Sequence, residues 1–287
     1  MDGKQGIGKM KIELSPNVVG RLTRDSLFWL ATARPEGTPH LAPLWYVWHN
    51  SCLYVFTGKV KLLNIRINPA VSLALQDGVR PVILEGKAMP VKDQAVFNQV
   101  AARYRARFAW DISAEDSSMQ LIEILPSKVL NWSGEARAEE LPIPPHSPGL
   151  PASASPALQR AVARLHREHL VWLATVRPEG RPHLVPIWHV WHQEKLYIST
   201  GQHSVKMNNI QHQPQVVVSL PNAMDVVLVE GTARPAPELE DQLAPFFVRK
   251  FGWDFRGDTE YGSLVQITPT KILAWQGDYR QSAKRVL

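Results

Sequence analysis

Hydrophobic residues recur mostly at every second position, in short runs separated by Pro, Gly and charged turns. The run LFWLATA (27–33) is apolar almost throughout and predicts a buried strand. The RPEG that follows (34–37) predicts a tight turn, in which Pro presets one backbone angle and Gly permits a positive one. PHLAPLWYVWH (39–49) predicts a second strand, and CLYVFTG (52–58) a third that pairs back through a short turn. AVSLAL (70–75), PVILEGKAMPV (81–91) and MQLIEILPSKVLNW (119–132) continue the strand pattern. The period lengthens toward 3.6 in NVVGRLTRDS (17–26) and VFNQVAARYRARF (96–108), where Tyr104 and Phe108 stand at i, i+4; both predict helices.

This whole pattern then repeats. Arg21 matches Arg164, Trp29 matches Trp172, Trp110 matches Trp253 and Trp132 matches Trp275, each pair 143 positions apart. Across Trp29–Thr57 against Trp172–Thr200, 19 of 29 positions are identical, which makes the repeat a duplicated domain and not a short solenoid unit. Between the copies lies EARAEELPIPPHSPGLPASASPA, whose Pro and Ser oppose helix and ladder alike and predict an extended linker. The expected organisation is a first domain over 1–134, a linker over 135–157 and a second domain over 158–287. Many short strands with few helices predict a mainly β fold, a small barrel in each copy.

Composition narrows the functional classes. The 45% hydrophobic and 20% charged content is that of a folded globular chain, and no apolar run reaches membrane-spanning length. The amino terminus lacks the apolar core of a signal peptide, and the single Cys52 excludes an intramolecular disulfide, so a cytoplasmic protein is expected. The net charge of +6 is scattered, and no nucleic-acid-binding signature accompanies it; no specific nucleic-acid partner and no membrane partner are expected. A positive excess suits a small anionic ligand instead. His189 and His192 form HxxH, but three steps along a strand place them on opposite faces, so no metal site is expected there.

The most informative segment is STGQHSVKMNNIQHQP (199–214). Thr200 ends a strand, Ser204 is placed to cap a short helix, and Pro214 marks its end. A helix start flanked by Ser, Thr and Lys206 suits a phosphate. The first copy reads TGKVKLLNIRINP here: it has lost two residues and the capping Ser, so its cradle is expected to be tighter.

The ordered set ATxRPEGxPHxxPxW, LYxxTG, SxK, NIxxxP, VSL and VEGxA resembles the FMN-binding split-barrel family, which includes pyridoxamine 5′-phosphate oxidase and the flavin and deazaflavin oxidoreductases. The resemblance covers most of both copies. It implies tandem split barrels forming an intramolecular pseudo-dimer, with a cofactor cleft at each side of their interface. It also implies Ser199, Thr200, Ser204, Val205 and Lys206 as phosphate residues, with Pro186, Ile187 and Trp188 along the ring and His183, like His40, beside it. Thr57, Lys61 and Trp45 are the first-copy counterparts. ILAWQGDYR resembles the family's Trp-Gln-Gly segment, which implies Trp275 with Arg280 or Arg285 at the cleft of the shortened loop, and Trp132 with Arg137 at the other. The oxidase's Arg-x-His near the carboxyl terminus is absent from YRQSAKRVL, which argues against pyridoxamine phosphate as substrate.

The expected function is a flavin-dependent oxidoreductase transferring hydride to or from an unknown small molecule, with FMN as cofactor and deazaflavin or haem as alternatives. Two further readings stay open: a non-catalytic flavin, deazaflavin or haem binding protein, and a structural pseudo-dimer with decayed sites. The internal pair is expected to stand alone as a monomer or to dimerise further.

Overall fold

The computed structural model describes residues 12–112, 118–133 and 154–277 and the backbone of 284–285; Arg137, Arg280, the Arg285 side chain and most of the expected linker lie outside the described residues. The first half runs α1 (Pro16–Arg24), β1 (Leu27–Ala33), β2 (Pro39–Trp45), β3 (Val47–His49), β4 (Cys52–Thr57), α2 (Lys59–Ile67), β5 (Ala70–Leu75), β6 (Val82–Pro90), α3 (Gln94–Phe108) and β7 (Gln120–Asn131). The second repeats it as α4 (Pro156–Arg167), β8 (Leu170–Val176), β9 (Pro182–His192), β10 (Lys195–Thr200), α5 (Val205–His212), β11 (Gln215–Ser219), β12 (Asp225–Pro235), α6 (Glu240–Phe251) and β13 (Ser263–Gln276), with a short β14 (Lys284–Arg285).

The helices start where their caps dictate. Ser15 and Ser155 accept from the backbone N–H of Val18 and Leu158, and Pro16 and Pro156 occupy the first turn, where their missing N–H costs nothing. Ser204 caps a short helix α5 as expected, and the segment following Gly58, with no capping side chain, is also helical as α2, so each half has three α-helices among the described residues. Burial of Asn64 and Ile65 against the barrel, not capping, holds that helix in place.

Both sheets are antiparallel and follow the same course. The second is ordered β10-β9-β8-β11-β12-β13, and β10 pairs back with β13, closing a six-stranded barrel. The first is ordered β2-β1-β5-β6-β7-β4-β3; the strand matching β9 is broken at Tyr46, so that sheet stays a half-barrel. Each barrel has its own core: Leu30, Val55, Leu73 and Ile124 in the first, Leu173, Ile198, Val218 and Ile267 in the second.

A further apolar cluster joins the halves. Trp29, Leu41 and Ile83 pack with Trp172, Leu184 and Leu228, and both tryptophans are fully buried. Each such side chain contributes about 2–3 kcal/mol through burial. Polar contacts fix the register: the Trp29 indole donates to the Pro221 carbonyl at 2.9 Å, Asn68 donates to the Gly180 carbonyl at 2.8 Å, and the Ala223 N–H donates to the Gln76 side chain at 2.9 Å. The two copies therefore form an intramolecular pseudo-dimer, a closed barrel beside a half-barrel of the same course.

Candidate functional site

The two RPEG turns face the opposite barrel. Gly37 and Gly180 take the positive φ the turn needs, at 85° and 86°. The arginine opening each turn crosses the interface: Arg34 pairs with Glu230, and Arg177 with Glu85, both at 3.0 Å. Those glutamates stand at matching bulges, where the register of β6 shifts between Glu85 and Gly86 and that of β12 between Glu230 and Gly231. A Cβ on Gly86 would lie 2.4 Å from the Leu125 carbonyl oxygen, so only glycine fits the bulge that aims Glu85 across. The reciprocal pairs bring residues of both halves together at two matching places, the candidate clefts.

The second-half cleft gathers His183, Thr175, Asn209 and Lys206 with Lys128 and Glu85 of the first half. Asn209 donates to the Thr175 hydroxyl at 2.8 Å, and that hydroxyl lies 3.4 Å from His183 Nδ1. Burial, then Arg177, Lys206 and Lys128, push the His183 imidazole down to about 3, so it is neutral at pH 7. Ser204 caps α5 by accepting from the Met207 N–H, and its hydroxyl lies 3.1 Å from that of Thr200. A Cβ on Gly201 would stand 2.5 Å from the Glu260 carbonyl oxygen, so this loop is held close to the β13 side. Burial lowers the Lys206 ammonium below its ordinary range.

The first-half cleft has the same plan with different finish. Asn64 donates to Thr32 at 2.9 Å, but His40 Nδ1 is buried without a partner among the described residues. Thr57, the counterpart of Thr200, is likewise buried with its hydroxyl unpartnered, because the serine that Thr200 meets is missing here. His40 is pushed down to about 3 by burial and by Lys61, Arg34 and Lys271. Lys61 is pushed down to about 8 by burial alone. Among the described residues no carboxylate pairs with Lys61 or Lys206, so both are half-buried cations without an acid partner.

The remaining expected residues fall elsewhere. Ser199 donates to the Tyr261 carbonyl, and the Val205 side chain is exposed. Ile187 points into the second barrel core, and Pro186 packs against Gly78 of the first half. Trp45 stacks on Phe108 at 4.9 Å and Trp188 on Phe251 at 4.7 Å, both beneath the long helices and against Trp110 and Trp253. Trp275 packs against the inter-half cluster with its indole N–H unpartnered, whereas Trp132 is exposed beside α1 of its own half. His189 Nε2 lies 2.8 Å from the Leu165 carbonyl oxygen, and His192 packs on Phe246. Among the described residues no group of three His, Cys, Asp or Glu side chains is gathered for a metal ion.

Lys128 and Lys271 were not among the sequence candidates. They come from the opposite half, and no local motif marks them. Their signal was the repeat itself: LPSK and TPTK place them at matching positions, 143 apart.

The donor set fits an anionic group such as a phosphate. Two acid-free lysines and an orphaned threonine hydroxyl can each serve an anionic oxygen. Among the described residues no helix is long and apolar enough to cross a membrane. No curated protein matches the chain. Among solved structures it is similar to a FAD-binding protein of Mesorhizobium loti (23% identity, 40% of this chain and 92% of that one, TM-score 0.34). It is also similar to a haem storage protein of Vibrio cholerae (19%, 43% and 98%, TM-score 0.38) and to an F420 reductase (22%, 43% and 98%, TM-score 0.32). The family model described as pyridoxamine 5′-phosphate oxidase matches twice, over residues 14–133 and 157–276. With both copies matched over nearly their full length, the chain belongs to the pyridoxamine 5′-phosphate oxidase family.

Proposed function

We propose that the chain is a flavin-dependent oxidoreductase that holds FMN between its two barrels and transfers hydride to or from a small molecule. The observation that carries this reading is the pair of composite clefts, each with an enclosed, acid-free lysine beside a neutral histidine. When bound, the cofactor supplies hydride exchange at its ring. The protein's own residues bind and orient. Lys206, Ser204 and Thr200 would hold the phosphate in the second cleft; Lys61 and Thr57 would do so in the first. Asn209 donates to the Thr175 hydroxyl, whose own proton can then go to His183 Nδ1, an arrangement that places the His183 proton on Nε2. His183 would then present a neutral N–H donor to the ligand. The Arg177–Glu85 and Arg34–Glu230 pairs keep the two walls together and limit entry of water.

The phosphate set favours FMN or a deazaflavin phosphate over haem. Cys52 is buried, and as the single cysteine of the sequence it agrees with a reducing, cytoplasmic setting. The test is the visible spectrum of the purified chain, followed by titration with FMN and anaerobic addition of NADPH. Uptake of FMN with bleaching of the flavin band is the expected result. A chain that stays colourless after added FMN would refute the reading, and uptake with no reduction by any donor would assign it to a carrier.

A further inference from the structure

Outside both clefts, the first half has a pocket of about 490 Å³ between α1, the β5–β6 turn and the end of β7. Arg21 and Arg24 reach it from one face of α1, Arg80 from the turn, and Trp132 and Asn131 from β7 and its end. Asp77 is the one carboxylate among its described lining residues. That carboxylate is already engaged: it accepts the N–H groups of Val79 and Arg80 and the Arg80 guanidinium at 3.0–3.1 Å. Arg21 lies 3.7 Å from Asp77 and donates to the Arg80 carbonyl, which fixes its guanidinium with its side chain only 14% exposed. Arg24 pairs with its neighbour Asp25 at 3.0 Å and Arg80 with Asp77, yet both keep most of their surface open to solvent, and the Trp132 indole is 46% exposed.

The duplicated scaffold supplies an internal control. At the matching place in the second half, Asp225 stands where Arg80 stands, and Ala274 where Asn131 stands. Arg164, the counterpart of Arg21, is consumed by Glu168 at 2.7 Å and Asp225 at 3.1 Å. Trp275, the counterpart of Trp132, is packed against the inter-half cluster. Among the described residues, the exposed turn arginine and the exposed indole are thus found at this place in the first half and not at its counterpart.

We propose that this pocket binds a planar aromatic anion, with the ring against Trp132 and a phosphate or carboxylate on the arginines. Guanidinium groups match such anions bidentately, and an exposed indole face gains by covering a flat ring. None of its described lining residues is among those gathered in the two clefts.

The test is calorimetric titration of the full chain with phenyl phosphate, benzoate and inorganic phosphate, all in a Lys61→Ala, Lys206→Ala background that disables anion binding in both clefts. Phenyl phosphate or benzoate is expected to bind, and the preferred one names the anionic group. Arg80→Asp, which copies the second half at an exposed position, should weaken binding at least tenfold. Trp132→Ala should weaken the aromatic ligand at least fivefold while leaving inorganic phosphate unchanged. Absence of binding at millimolar ligand, or binding that neither substitution alters, would overturn the proposal.

Discussion

Replacing Lys61 with Met should make the protein more stable and a poorer binder of anions. The structure encloses the Lys61 ammonium without a carboxylate, which pushes it down to about 8 from its ordinary value near 10.5. That displacement corresponds to roughly 3 kcal/mol of unfavourable burial, and because the residue is only half-buried, solvent screening reduces this to about 1–2 kcal/mol. The sign follows from proton linkage. Between pH 8 and 10.5 the unfolded chain binds more protons at this lysine than the folded one, so this group's contribution to stability rises with pH across that window. Below pH 8 the penalty is fully present; near pH 10.5 it is gone. Lys61→Met keeps the stem's apolar contacts and removes the charge, so its melting temperature should exceed that of the parent by about 3–5 °C at pH 7, shrinking to nothing by pH 10.5. Thermal unfolding followed by circular dichroism at pH 7, 8.5 and 10 measures this, beside an FMN titration at pH 7. A lower melting temperature at pH 7, or a gain that does not change with pH, would refute the argument that this lysine is kept for a ligand at the expense of the fold.

Lys206→Ala should weaken FMN binding more than Lys61→Ala, because the second loop retains Ser204 and its helix cap; equal effects in a fluorescence titration would refute that ranking. In double-mutant cycles by denaturant unfolding, Glu85 and Arg177, with side chains 12% and 16% exposed, should couple by about 2–3 kcal/mol, and the more open Glu230 and Arg34 by about 1 kcal/mol; the reverse order would contradict the docking of the halves. His40 and His183 stay neutral in the folded chain down to about pH 3, whereas unfolded histidines charge near 6.5, so stability should fall as pH drops from 6.5 toward 3. His183→Asn should flatten that acid limb by up to about 4 kcal/mol at its foot, measured by urea unfolding at pH 4 and 6.5.

Much of this architecture was legible because strand period and turn chemistry are local. LFWLATA and LVWLATV are buried strands, and both RPEG turns have glycine at positive φ. The resemblance added the pseudo-dimer. The destinations of side chains were less legible. A strand with period two has two faces, but β9 meets three environments: the barrel core at Ile187, the first half at Pro186 and the helix-side cluster at Trp188. Alternation cannot say which surface lies opposite. Helix α2 escaped notice because its start carries no capping side chain, and the break at Tyr46 leaves no mark in a segment otherwise near-identical to its copy.

Fusion of the copies explains why the clefts can differ at all. In a dimer of identical chains, losing two residues and the serine after Gly58 would strip the cap from both matching loops at once. In one chain the loss is confined to one cleft: Thr57 and His40 Nδ1 are orphaned, while Thr200 still meets Ser204 and Thr175 still meets His183. The walls are nevertheless shared. Lys128 and Glu85 of the altered half serve the cleft whose loop is intact, and Lys271 and Glu230 of the intact half serve the altered one. Each half is thus tied to its fold by the needs of the other's cleft, which accounts for the two RPEG segments staying nearly identical while the loops just beyond them drifted apart.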